Sequence, residues 1–239
     1  MAKHGKKYLS ALEKIDRQQL YSPEEAIKLA KEVAPAKFDE TVEVHVRLGI
    51  DPRHSDQQIR TTVILPYGLG KTVRILVFAE SEAARIAQEA GADIVADDEV
   101  IARIANESWT EFDVALAVPD MMRKIGRLGK VLGRKGLMPN PKAGTLVQPE
   151  DIPRAIEEAR AGRVEFRNDK TANLHIPIGK ISFGETQLYG NMAAVMDAVR
   201  RARPGAAKGT YVRRVVLTST MGPGIRIDPN VALAMTVVA

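Results

Sequence analysis

The sequence predicts a mixed α/β fold in which strands of antiparallel character flank a central parallel sheet covered by helices. Three observations carry that expectation. Residues 41–48 alternate strictly between polar and apolar side chains, the signature of a strand with one covered face. Strand-like and helix-like runs then alternate from Thr72 to Val118, which implies parallel strands joined by crossover helices. Alternating strand material returns after Gly162. The pattern therefore divides the chain near Tyr67 and near Ala161.

The elements follow in order. Leu9, Leu12 and Ile15, then Ala26, Ile27 and Ala30, recur at helical spacing and predict helices over Lys6–Asp16 and Pro23–Val33. Ser22-Pro23-Glu24-Glu25 supplies the second with a cap, a first-turn proline and acids for the dipole. Thr41–Leu48 places Val42, Val44, Val46 and Leu48 on one face and leaves Thr41, Glu43, His45 and Arg47 free for contacts on the other. Arg60–Leu65 reads as a second strand after the turn-rich Asp51–Asp56. The middle stretch predicts strands over Thr72–Ala79, Asp93–Ala96 and Asp113–Val118, with helices over Ser81–Ala90 and Asp98–Asn106. Strands at Arg163–Arg167, Leu174–Ile178 and Tyr211–Thr220 and a helix over Glu185–Arg203 complete the chain.

With 239 residues and 45% hydrophobic content, the chain is long enough for one large domain or two modest ones. The absence of cysteine excludes disulfides, thiolate metal sites and a cysteine nucleophile. The N-terminus is basic but runs into polar residues 10–19, unlike a secretory signal, and the apolar tail Val231–Ala239 is far shorter than the ~18 residues a membrane span needs. No membrane partner is expected. The formal charge of +5 is unevenly spread: residues 67–160 hold 13 Lys and Arg against 15 Asp and Glu, which leaves 22 against 15 on the flanks. A basic balance on the flanks points to an acidic partner there.

Motifs for small-molecule chemistry are weak. Gly68-Leu-Gly-Lys-Thr72 ends like a phosphate loop, but Leu65 stands where the first glycine is required and the loop enters a strand rather than a helix, so its glycines read as a hinge. The four histidines, His4, His45, His54 and His175, have no metal-ligand spacing, and no nucleophile sits with a partnered base. No cofactor or metal is expected. The run from Arg123 to Lys142 is different. It carries Arg127, Lys130, Arg134, Lys135 and Lys142, no acid, and Gly126, Gly129, Gly133 and Gly136, and reads either as a nucleic-acid surface approached closely by backbone amides or as a solvated flexible loop.

Four strings occur in order: Lys-Phe-Asp-Glu-Thr-Val-Glu (37–43), Leu-Pro-x-Gly-Leu-Gly-Lys (65–71), Gly-Leu-Met-Pro-Asn-Pro-Lys-x-Gly-Thr (136–145) and Thr-Ser-Thr-Met-Gly-Pro (218–223). On these the chain resembles the bacterial ribosomal L-one family, proteins of the mobile stalk beside the tRNA exit site, from about Lys3 to Asp228. The resemblance implies a split two-domain α/β architecture. Residues 1–66 and 161–239 would form an antiparallel-sheet, discontinuous RNA-binding domain, interrupted by a three-layer Rossmann-like domain at 67–160. It implies a non-enzymatic protein of the large ribosomal subunit that is a monomer when free. Its expected partners are a stem-loop of the large-subunit ribosomal RNA, deacylated tRNA leaving the exit site, and its own operon messenger RNA, which it would repress.

Carried over motif by motif, the resemblance implies RNA contacts from Lys37, Phe38, Thr41, Glu43, Lys170, Thr171, Thr218, Ser219, Thr220, Met221 and Gly222, clustered on one face. Lysines suit phosphates, hydroxyls suit ribose 2′-OH groups, Gly222 allows close approach, and Phe38 with Met221 would form an apolar platform. His4, Lys6, Lys7, His175 and Ser182 are second-rank candidates, as is the basic run of the middle domain. Tyr67 stands where the family commonly has histidine, Arg134 replaces a proline, and Ala172-Asn173 lacks the family's glycine. Two other readings remain open: a doubly wound enzyme binding a nucleotide in the middle domain, and a nonspecific nucleic-acid chaperone.

Overall fold

The computed structural model describes residues 5–236. In chain order, α1 (Lys6–Glu13) and α2 (Pro23–Val33) lead into β1 (Thr41–Leu48) and β2 (Arg60–Ile64). Next come β3 (Ile75–Phe78), α3 (Ser81–Glu89), β4 (Ile94–Ala96), α4 (Asp98–Glu107) and β5 (Val114–Ala117). The short helices α5 (Met122–Ile125) and α6 (Gly129–Lys135) precede α7 (Ile152–Arg160) and β6 (Arg163–Arg167). The chain ends through β7 (Asn173–Lys180), α8 (Glu185–Arg201), β8 (Val212–Ser219), β9 (Ile225–Ile227) and α9 (Pro229–Leu233). It divides into two compact units, Met1–Gly70 with Val164–Ala239, and Lys71–Arg163.

The outer unit is built on a sheet of order β7-β1-β8-β9, with β1 antiparallel to both β7 and β8. Val42, Val44, Val46 and Leu48 of β1 and Val215 and Leu217 of β8 point into the core with Leu188, Met192, Val195 and Val199 of α8 and Ala26, Ile27 and Ala30 of α2. Helices therefore cover one face of the sheet. The other face stays open, because the alternation in β1 buries every second residue only. The cap expected at Ser22 is present as a capping box with Glu25. Leu174, Ile176 and Ile178 bury the same face of β7, and Val164 and Phe166 of the β2–β6 pair join the core.

The inserted unit is a parallel sheet of order β4-β3-β5 between helical layers, the Rossmann-like arrangement expected. Along β3 the alternation is again two-fold: Leu76 and Phe78 face α4 and the α5–α6 segment, while Ile75 and Val77 face α3 and α7. Such a strand, buried on both faces, reads as an unbroken apolar run.

Several boundaries differ from the sequence expectation. The first helix stops at Glu13 rather than Asp16, and β3 is shorter than Thr72–Ala79. The units meet after Gly70 and Arg163 rather than after residues 66 and 160. Buried Asn191 explains the first of these: its side chain accepts from the Tyr67 amide and donates to the carbonyls of Gly68 and Ile178, holding residues 67–68 on the outer unit. A Cβ added to Gly190 would lie 2.6 Å from the Tyr67 ring, so glycine there lets Tyr67 lie against α8. The basic run is not a flexible loop: Ile125, Leu128 and Leu132 are fully buried at helical spacing and anchor short helices from Pro119 to Lys135. Residues Val231–Met235 pack on the outer unit, with Ala232 and Met235 in its core.

Candidate nucleic-acid interface

The open face of the outer sheet is organised in rows set by strand register. Lys180 and Thr41 pair across β7 and β1, followed by Pro177, Glu43 and Thr218, then His175, His45 and Val216, then Asn173, Arg47 and Arg214. At a rise of about 3.3 Å per residue, six residues of β1 separate the first row from the last by about 20 Å.

The Thr41 end is closed by two loops, residues 35–40 and 219–224. Glu40 joins them. It is 1% exposed, and its carboxylate accepts from the Ser219 hydroxyl at 2.6 Å, the Met221 amide at 2.9 Å and the Ala36 amide at 2.7 Å. Buried carboxylates persist only when their lone pairs are satisfied in this way. The Thr41 amide donates to the Thr220 hydroxyl, which in turn donates to the Thr41 carbonyl. With the loops so tied, Phe38 and Met221 remain 59% and 57% exposed, two large apolar side chains presented to solvent on neighbouring segments. Beside them Lys37 is exposed, Lys180 Nζ donates to the Thr41 hydroxyl at 2.8 Å, and Ser182 donates to Asp39. That hydrogen bond from Ser182, assisted by Lys180, holds the Asp39 carboxyl below its ordinary value.

Two expected contacts need correction. Ser219 is buried with its hydroxyl committed to Glu40, so it shapes the loop and is not presented. A Cβ on Gly222 would collide with that same hydroxyl, so this glycine serves an internal close approach first. Thr218, half-buried, donates to the carbonyls of Ser219 and Gly222. Glu43 lies within the face, 3.8 Å from His45.

Nor do the expected residues form one cluster. Lys170 and Thr171 lie in the turn before β7, at the Arg47 end of the face. Asp169 organises that turn by accepting from the amides of Thr171 and Asn173 and from both their side chains, which supports Ala172 at φ 63° where the family's glycine is missing. Burial raises the Asp169 carboxyl, but these hydrogen bonds outweigh it and leave the group well below the usual range. His175 sits between the two ends, its Nδ1 2.7 Å from that of His45. Lys6 and Lys7 are exposed on α1, and Lys14, which caps the end of that helix, pairs with Glu32 of α2. His4 lies outside the described residues.

In the inserted unit, Arg127, Lys130, Arg134, Lys135 and Lys142 are all exposed, with Lys135 donating to Thr110. The carboxyl ends of the parallel strands, where doubly wound folds take phosphates, hold Glu80 and Asp98 paired with Lys124. Carboxylates at that position repel a nucleotide. Among the described residues no cluster of potential metal ligands occurs.

The model of the ribosomal protein L1p/L10e family matches residues 30–223. The chain belongs to the ribosomal L1 family. It is 62% identical over 228 residues to the large ribosomal subunit protein uL1 of Chloroflexus aggregans, covering 95% of this chain and 96% of that one. To the protein of the same name in Chloroflexus aurantiacus it is 61% identical over 232 residues, covering 97% and 98%. As an L1 family member it is a structural constituent of the large ribosomal subunit and not an enzyme. No helix among the described residues is long and apolar enough to cross a membrane.

For an L1 protein, sequence reasoning missed Glu40, Lys180, Asp39 and Asn191. Each acts through a partner far along the chain. The motif 37–43 contains Glu40, but its burial is a tertiary fact.

Proposed function

We propose that the discontinuous outer domain grips a stem-loop of the large-subunit ribosomal RNA at the mobile stalk through the open sheet face and the two loops at its Thr41 end. The observation that carries this reading is the exposure of Phe38 and Met221 on loops tied together by buried Glu40. Exposed apolar side chains flanked by lysines and hydroxyls suit unpaired bases, ribose and phosphate together. Lys37 and Lys180 neutralise phosphates, Thr220 meets ribose hydroxyls, and Phe38 with Met221 packs against a base or sugar. The inserted domain assists release of deacylated tRNA from the exit site through the exposed Arg127, Lys130, Arg134, Lys135 and Lys142. The same sheet face binds a mimic of the stem-loop in the chain's own operon messenger RNA and represses its translation.

Filter binding of large-subunit rRNA fragments at several salt concentrations tests this. Thr220→Ala and Met221→Ala are expected to weaken the stem-loop at least about tenfold more than unrelated RNA. Lys135→Glu is expected to leave stem-loop affinity unchanged and to alter tRNA release. Uniform weakening toward all RNAs by the first two variants overturns the reading.

A further inference from the structure

At the end of the open face remote from Met221, β8 departs from regular pairing: Arg47 pairs with Arg214, but Leu48 pairs with Val212, so Arg213 is an inserted residue. In regular alternation the neighbour of outward-facing Arg214 would point into the core. The bulge instead leaves both Arg213 and Arg214 exposed, between buried Val212 and Val215. The irregularity thus sets two consecutive guanidinium groups beside Arg47 at the rim of a groove of about 400 Å³, lined also by His45, His175 and Asn173.

Eight other arginines among the described residues are neutralised by acids. Arg60, Arg85, Arg103, Arg154, Arg160, Arg163, Arg200 and Arg201 each have a carboxylate partner. Arg47, Arg213 and Arg214 have neither an ion pair nor a side-chain hydrogen bond among the described residues. Glu43 and Asp169 stand 3.8 Å and 3.6 Å from His45 and His175 and are not among the residues lining the groove. Three like charges held together, with no acid lining the groove, leave a cavity of unsatisfied guanidinium donors whose fork geometry fits phosphate oxygens.

We infer that Arg47, Arg213 and Arg214 form a second backbone-phosphate site, about 20 Å along β1 from the Thr220–Met221 loops, which takes a separate stretch of the same bound RNA. The inference rests on the open face being the RNA interface proposed above. It accounts for the position of Lys170 and Thr171, which extend this end of the face rather than the other. The Asn173 side chain, whose amide donates to Asp169 and Thr171, fixes that turn at the groove, and the imidazoles of His45 and His175 lie against its wall. The site carries affinity rather than discrimination, because phosphates are the same in every sequence.

The experiment compares Arg47→Gln/Arg214→Gln, Arg47→Lys/Arg214→Lys, Arg213→Gln and Thr220→Ala with the parent. The probes are the large-subunit rRNA stem-loop and an unrelated duplex of equal length, bound at several salt concentrations. The double glutamine variant is expected to bind the stem-loop about tenfold more weakly, with a salt slope smaller by about one to two, while keeping its preference over the unrelated duplex. Arg213→Gln is expected to lower the slope by about one, and the double lysine variant to restore most of it. Parent-like affinity and slope in the double glutamine variant, with discrimination still lost in Thr220→Ala, overturns the groove site and leaves the interface standing. Unchanged binding in Thr220→Ala strikes at the interface itself.

Discussion

The carboxylate of Glu40 accepts a hydrogen bond of 2.6 Å from the hydroxyl of Ser219, 179 residues further along the chain, with both side chains buried. This contact joins the loop carrying Phe38 to the loop carrying Met221. It makes one surface out of two segments that belong to opposite ends of the sequence.

Replacing Glu40 by leucine is expected to cost about 3–5 kcal/mol, because the Ser219 hydroxyl and the amides of Ala36 and Met221 lose a buried acceptor. Urea denaturation measures this. Stem-loop affinity should fall with it even where the variant is fully folded. A folded variant with unchanged affinity would show that the loops hold their positions without the clamp.

Asp169→Ala is expected to cost about 1–2 kcal/mol at neutral pH, the lower part of the range for charge-assisted hydrogen bonds because the turn is partly open to solvent. The Asp169 carboxyl is held below its unfolded value, so its stabilisation is present above about pH 4 and is lost as pH falls through the lowered value. Parent and variant should therefore converge in stability as the medium becomes strongly acidic. A constant gap between them at all pH values contradicts the role assigned to the charge.

His45 is held below the ordinary histidine value, first by burial and then by facing His175, with Glu43 opposing. Asp169 beside His175 and the guanidinium groups of Arg47, Arg213 and Arg214 complete the charged surroundings. A depressed value means that His45 contributes stability above the unfolded value of about 6.5, lost as pH falls through the folded one. His45→Gln should thus flatten part of the decline in stability as pH falls below about 6.5. In the free protein, NMR titration should place the His45 midpoint below about 6.5; a midpoint above it contradicts the burial argument.

Much of the fold was legible because it rests on local periodicity. The alternation of Thr41–Leu48 is visible in the sequence and reappears as one buried and one open face. The apolar run through Ile75–Phe78 marks a strand buried on both sides. The segment Pro119–Lys135 was harder to read, since Gly126, Gly129 and Gly133 obscure the helical spacing of Ile125, Leu128 and Leu132. Of the candidate site, Phe38, Thr220 and Met221 were accessible through their motifs. The separation of Lys170 and Thr171 from them was not, because it depends on which residue of β7 pairs with which residue of β1.

Sequence by itself determined most of the strands and the longer helices other than α7, the approximate division into flanking and inserted segments, and the family, since each depends on neighbouring residues or on strings read in order. Tertiary structure alone decided that Glu40 is a buried clamp, that Ser219 is hidden, and that a bulge turns Arg213 outward beside Arg47. Those outcomes depend on strand register and on solvent exclusion between residues far apart in the chain, and neither quantity is a property of any local stretch of residues.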